Sequence, residues 1–299
     1  VSDQGEADSR AVLATATESA GIDGHGAEVI RLGENALYRL SGGVVARIAR
    51  RGQDDAAAKE VAVSRWLEDS GVAAVRIVRE VDQPVHADGH PVTFWHELPD
   101  HERGSATDVA AVLRQLHKLD PPDDFELPEL APFVRLPERI EAASTVSAED
   151  RAWMLDRLAE LREGYASLPP GLPRAVVHGD AWRGNIARTP DGELFLLDLE
   201  RCALGPPEWD LVSTAVSRVT TGWLDADEWA AYSDAYGQDV TVWDGFAVLR
   251  DIRELRMTSM ACQVAATDPD RYGQQATHRL ACLRGQRGAR PWKNWSAVP

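Results

Sequence analysis

The sequence predicts an α+β fold in two lobes, a mainly β N-lobe followed by a mainly helical C-lobe, with the active site in the cleft between them. Three observations carry that expectation. Strand-like segments crowd into the first hundred residues, helical apolar spacing dominates beyond Gly104, and a short β-prone interruption from about Arg174 to Asp198 breaks the helical run. At 299 residues and 44% hydrophobic, the chain is long enough for roughly two domains. The change of pattern sets the division at 1–98 and 99–299.

In chain order, 9–19 reads as a helix broken by Gly21 and Gly24. The stretches 28–32, 36–40 and 44–49 are β-prone and are separated by Gly33-Glu34-Asn35 and Ser41-Gly42-Gly43. From about 54 to 70, Ala58, Val61, Val63, Trp66 and Leu67 fall near helical spacing, Glu60 rides on the same segment, and Gly71 stands where a helix stops. Strand candidates follow near 75–79 and 91–97. Beyond Gly104 the spacing predicts helices over 106–119, 137–143, 148–165, 207–219, 225–236, 246–266 and 268–283, with a Pro-rich irregular loop at 120–132.

Chemistry concentrates in the interruption. His178-Gly179-Asp180-Ala181-Trp182-Arg183-Gly184-Asn185 is entered by the β-prone run 174–177 and left by 185–188. Thr189-Pro190-Asp191-Gly192 has turn chemistry, and 193–198 returns as a strand that ends on Asp198. An Asp and an Asn five apart, then a second Asp at a strand end, supply one base and two oxygen ligands, the inventory of phosphoryl transfer. Mg²⁺ takes oxygen ligands and is commonly held by one or two carboxylates plus substrate phosphates, so Asn185 and Asp198 with a nucleotide would suffice.

At these residues the chain resembles the aminoglycoside phosphotransferase family, the small-molecule branch of the protein-kinase-like fold, whose mark is HGDxxxxN followed by a hydrophobic-Asp motif. The resemblance covers nearly the whole chain. It implies that Asp180 is the catalytic base, that Asn185 and Asp198 hold Mg²⁺, and that His178 braces the loop. Protein kinases carry Arg where this chain has Gly179 and Phe-Gly where it has Leu199-Glu200, which favours a small acceptor over a protein. Arg183 flanks the base, and the residues leave open whether it meets the γ-phosphate or a neighbouring acid.

The same resemblance implies a cation on the third strand, paired with a Glu on the next helix, facing the phosphates of ATP or GTP. Arg47 occupies the place of the usual Lys and Glu60 is its expected partner; a guanidinium carries the charge but not the geometry of an ammonium. The loop with Gly33 and Asn35 would lie over the phosphates. Late helices in the family contribute acids that hold an amino sugar, which makes Asp251 and Glu254 candidate acceptor contacts, although Arg250, Arg253 and Arg256 beside them fit an internal ion-pair lattice as well. Gly205-Pro206-Pro207-Glu208-Trp209-Asp210-Leu211 resembles the family's Gly-Asp-Pro-x-x-Asp-Leu with Pro206 in place of its Asp, so Asp210 is expected to brace the catalytic loop. His117 is expected to be structural.

Composition bounds the partners. With 48 acidic against 32 basic residues, the net charge of −16 argues against nucleic acid as a target. A cationic hydroxyl compound such as an aminoglycoside or amino sugar is compatible with that charge, as is a solvated acidic surface of no specific purpose. The longest apolar runs fall short of the ~18 residues of a membrane span. The acidic first residues lack the apolar core of a signal peptide, so a cytoplasmic location is expected. Cys202, Cys262 and Cys282 lack metal-ligand spacing. Two alternatives stay open: a non-catalytic ligand-binding pseudokinase, favoured by Arg47, and a nucleotidyl transferase that would leave AMP on its target. The choice of purine, the oligomeric state and a role in antibiotic resistance or in metabolism are also open.

Overall fold

A computed structural model of the chain describes residues 3–296 and Val298. Its first helix, α1 (Asp3–Ala20), is followed by strands β1 (Glu28–Leu32), β2 (Ala36–Leu40) and β3 (Val44–Ile48), helix α2 (Asp54–Asp69), and strands β4 (Val85–Ala87), β5 (His90–His96) and β6 (Glu102–Arg103). Helices α3 (Ala106–Leu116), α4 (Leu136–Glu141) and α5 (Ala148–Ala166) come next, then the short strands β7 (Ala175–Val177), β8 (Ile186–Arg188), β9 (Leu194–Leu196) and β10 (Ala203–Gly205). The chain continues through α6 (Glu208–Val219), α7 (Ala226–Tyr236), α8 (Phe246–Thr267) and α9 (Pro269–Leu283). The α+β order that the sequence predicts, an antiparallel sheet first and helices after, is the order observed.

The structure divides into two compact units, one formed by 1–104, 122–127 and 184–202, the other by 105–121, 128–183 and 203–299. In the first, a five-stranded antiparallel sheet has the order β1-β2-β3-β5-β4. Gly42 and Gly43, at φ of +72° and +71°, supply the left-handed backbone of the β2–β3 turn. Tyr38, Ala46, Val92 and Phe94 are fully buried against Val12, Leu13 and Ala16 of α1. Trp95 joins Val61 of α2 and Ile77 in a separate cluster, so β5 is buried on both faces from Pro91 to Trp95.

The strand predicted near 75–79 is reduced to single bridges, Ala74 to Leu196 and Ile77 to Trp95. The Ser64 hydroxyl of α2 donates to Val75 O at 2.8 Å and accepts from Ile77 N at 3.3 Å, so a side chain does the work of a neighbouring strand. A second, three-stranded sheet of order β6-β8-β9 completes this unit.

In the second unit α8 is the central element, contacting α4, α5, α6 and α9 and burying Leu249, Ile252, Leu255, Ala261 and Cys262. Helix α3, which packs on α7, starts with a capping box in which Ser105 and Asp108 satisfy each other's backbone N–H groups. Strand β7 pairs antiparallel with β10, Ala175 opposite Gly205 and Val177 opposite Ala203, which anchors the residue just before His178. Trp292 and Trp295 stack with centroids 5.8 Å apart and bury themselves with Cys282. Among the described residues, no helix is long and apolar enough to cross a membrane.

Candidate active site

The chain leaves β7 through His178, which is fully buried, and turns at Gly179, whose φ of +82° only glycine adopts without strain. Two adjacent residues of α6 fasten this turn. Asp210, with no solvent exposure, accepts from the backbone N–H of His178 at 2.7 Å and of Gly179 at 2.9 Å, and the indole N–H of Trp209 donates to Gly179 O at 2.9 Å. Asp210 also meets His117 Nε2 at 3.1 Å, while His117 Nδ1 lies 2.9 Å from the Tyr236 hydroxyl. His178 Nδ1 accepts the Asp180 backbone N–H at 3.3 Å.

Asp180 therefore leaves a backbone whose N–H groups are already engaged, and its side chain is 32% exposed. Arg253 of α8 donates to Asp180 Oδ1 from Nη1 at 3.3 Å and from Nη2 at 3.2 Å while lying over the Trp209 ring, 5.7 Å from its centroid. Trp182 and Arg183 are exposed, and Arg183 opens the single 3-10 turn Arg183–Asn185.

In the first unit Arg47 lies on β3 opposite Leu37 and Thr93. Its Nη1 donates to Glu60 Oε2 and its Nη2 to Glu200 Oε2 at 3.4 Å. Asn35, with its amide oxygen turned to the guanidinium, accepts from Arg47 Nη2 at 2.8 Å and Nε at 3.1 Å. Burial pushes the Glu60 carboxyl up to about 7, opposed by the charge of Arg47. Lys59, beside it, donates to Cys202 O at 3.4 Å, and burial lowers its pKa. Gly33 is exposed in the β1–β2 turn, with its N–H on Asn35 O at 3.2 Å.

Asn185 and Asp198 belong to this unit as well, at the open end of the β8–β9 hairpin. Leu197 N donates to Asn185 O at 2.9 Å, one ladder step beyond the Ile186–Leu196 pair. Asp198 stands in the left-handed region at φ +55° and is exposed, a conformation that costs a non-glycine residue free energy and turns the chain out of the strand. A buried amide one residue before the hairpin and an exposed carboxylate two residues after it fit a hard divalent cation that takes its remaining oxygens from phosphate and water. Among the described residues no group of three or more His, Cys, Asp or Glu is placed to hold a metal ion.

The remaining candidates are placed differently. Asp251 is engaged by Arg157 at 2.7 Å, Arg250 at 2.7 Å and Arg290 at 3.3 Å, and Glu254, 1% exposed, by Arg290 at 2.6 Å and the Thr220 hydroxyl at 2.6 Å. Sequence reasoning did not find Glu200 as a second partner of Arg47, nor Arg253 as the neighbour of Asp180, 73 residues away in the chain. Neither pairing has a local sequence signal. The nearest hint to the second was the unusual run of arginines on 250–256.

A model of the APH phosphotransferase enzyme family matches residues 28–251. No curated protein matches the sequence. Among solved structures, amicoumacin kinase hAmiN in complex with AMP-PNP, Ca²⁺ and Ami aligns with a TM-score of 0.71 at 13% identity, over 96% of this chain and 97% of that one. A choline/ethanolamine kinase family protein from Mesorhizobium loti aligns at 0.61 and 19% identity over 94% of each chain. Aminoglycoside phosphotransferase APH(3'')-Id from Streptomyces rimosus aligns at 0.56 and 19% identity, over 82% of this chain and 98% of that one.

Proposed function

The chain belongs to the APH phosphotransferase enzyme family, the protein-kinase-like small-molecule kinases, and on that premise we propose that it transfers the γ-phosphoryl group of ATP or GTP to a hydroxyl of a small molecule with Mg²⁺. The observation that carries the reading is the loop 178–180, fastened by Asp210 and Trp209 so that Asp180 presents a carboxylate from a rigid backbone.

In this reading Asp180 accepts the proton of the acceptor hydroxyl as its oxygen bonds to the γ-phosphorus and the bond to the β-phosphate oxygen breaks, releasing ADP or GDP. A positioned general base supplies about 10² to 10⁴ in rate. Mg²⁺ held by Asn185 and Asp198 would neutralise charge on the transferring phosphate. Arg47, oriented by Glu60, Glu200 and Asn35, would face the α- and β-phosphates near Gly33. His178 holds the loop through the Asp180 N–H, and Arg183 lies next in line toward Asn185 for a phosphate contact. Nucleotide duties fall to 1–98 with Asn185 and Asp198 of the hairpin, and acceptor duties to the rest of 99–299.

Asp251 and Glu254 are read here as the anchor of Arg157, Arg250 and Arg290 rather than as acceptor contacts. All three cysteines are free thiols, which fits a reducing, cytoplasmic setting. The deciding experiment incubates the chain with Mg²⁺ and ATP or GTP over an acceptor library and identifies the released nucleotide. ADP or GDP supports the reading, AMP points to nucleotidyl transfer, and nucleotide binding without release points to a pseudokinase.

A further inference from the structure

The guanidinium groups around α8 fall into two kinds. Arg157 and Arg250 each meet Asp251 at 2.7 Å, and Arg290 meets both oxygens of Glu254 at 2.6 and 2.7 Å. These are short, charge-matched contacts. Arg253 is matched poorly: its side chain is only 12% exposed, yet its hydrogen bonds to one oxygen of Asp180 are 3.2 and 3.3 Å long, against 2.7 and 2.8 Å for the two by which Arg250 holds one oxygen of Asp251. A charge-assisted N–H···O contact is ordinarily about 2.7–2.9 Å. The face of Trp209 returns part of the lost hydration. A guanidinium taken this far out of water still gains from a second oxyanion.

We infer that the acceptor is a hydroxyl compound carrying an anionic group, a carboxylate or a phosphate, and that Arg253 is the residue that recognises it. The inference rests on Asp180 as the base. An acceptor hydroxyl within about 3 Å of Asp180 brings the rest of a small molecule alongside Arg253, whose planar fork suits an oxyanion. An ammonium in the same place would meet the like charge of Arg253; Asp180, the acid against it, is committed to the acceptor hydroxyl, and Asp251 and Glu254 of the same helix are engaged by other arginines. The net charge of −16 acts at long range and is screened over about 10 Å, so at contact distance the local cation decides.

The test titrates the full chain, loaded with Mg²⁺ and AMP-PNP, by calorimetry with two matched panels. One holds glycerate, glycerol 3-phosphate, glycerol and serinol; the other holds gluconate, glucose 6-phosphate, glucose and glucosamine. At least one acid of a panel should bind roughly 10- to 100-fold more tightly than its neutral and amino counterparts. Whether carboxylate or phosphate leads identifies the anion. Arg253→Gln should erase that preference, while Arg253→Lys, which keeps the charge and fewer donors, should weaken binding without reversing it; melting curves show that each variant is folded. Amines binding as tightly as the acids, no acid binding at all, or a preference indifferent to Arg253→Gln in a folded variant would overturn the inference. ADP release with the same panels separates the two readings: acids that bind through Arg253 but release no ADP count against phosphotransfer alone, and turnover of amines only counts against the charge assignment alone.

Discussion

Arg47 and Arg253, one in each compact unit, both meet carboxylates of the proposed machinery, and they are held in opposite ways. Arg47 is gripped by Glu60, Glu200 and the Asn35 amide. Arg253 has one shared oxygen and an aromatic face. A guanidinium whose donors are spent inside the fold is fixed in place and works by position, whereas one left short of acceptors retains free energy to give to a ligand. The first unit thus presents a preset charge, and the second presents a charge that its substrate completes.

The largest effect should come from the carboxylate at the centre of the second arrangement. Asp180→Ala should lower kcat by about 10² to 10⁴ while nucleotide still binds, as followed by ADP release and calorimetry. Near-wild-type turnover would remove Asp180 as the base, and with it the sense of the contact with Arg253. Next is the fastening of the loop. Asp210→Ala strands two backbone N–H groups and His117, and should destabilise the fold by roughly 2–5 kcal/mol in denaturant titration. An unchanged midpoint would mean that the loop is held by something other than α6.

On the nucleotide side, Asp198→Ala should reduce the Mg²⁺-dependent part of nucleotide affinity by at least about 10-fold, the cost of losing even an outer-shell partner of a metal. Equal affinity with and without Mg²⁺ in both proteins would argue against the hairpin as the metal site. The smallest effect concerns Glu60. Its carboxyl is held above its unfolded value, at about 7, so the protonated form favours folding. That contribution is complete below about 4.5 and is lost as pH rises through about 7, with a slope of at most about 1.4 kcal/mol per pH unit for one proton. Glu60→Gln should flatten stability across that window, and an unaltered slope would show that Arg47 keeps Glu60 ionised throughout.

The elements that local chemistry writes were legible. The 36–40 and 44–48 strands and the long helices follow from apolar period, and the spacing of Asp180, Asn185 and Asp198 pointed to phosphoryl transfer before any geometry was known. The rest depends on partners distant in sequence. Segment 75–79 has strand composition but divides its backbone between Ser64, Leu196 and the β5 residues Phe94 and His96, β4 was not anticipated, and β10 pairs with the distant β7. Arg253 reads as one more arginine of an ion-pair lattice until folding sets it against Asp180 while its helical neighbours Asp251 and Glu254 turn to Arg157, Arg250 and Arg290. Periodicity reports which face of a helix is buried, not which charge waits there.

Trp209 touches both sides of this arrangement, its indole N–H on Gly179 O and its ring beneath Arg253. That makes it a built-in optical probe. An oxyanion drawing the guanidinium away from the ring changes the electric field across the indole, so its emission colour and lifetime should register occupancy of the pocket before any bond is made or broken. Replacing the other nine tryptophans by phenylalanine, singly or in groups, would isolate that signal, and the order in which nucleotide and acceptor arrive would be read from light.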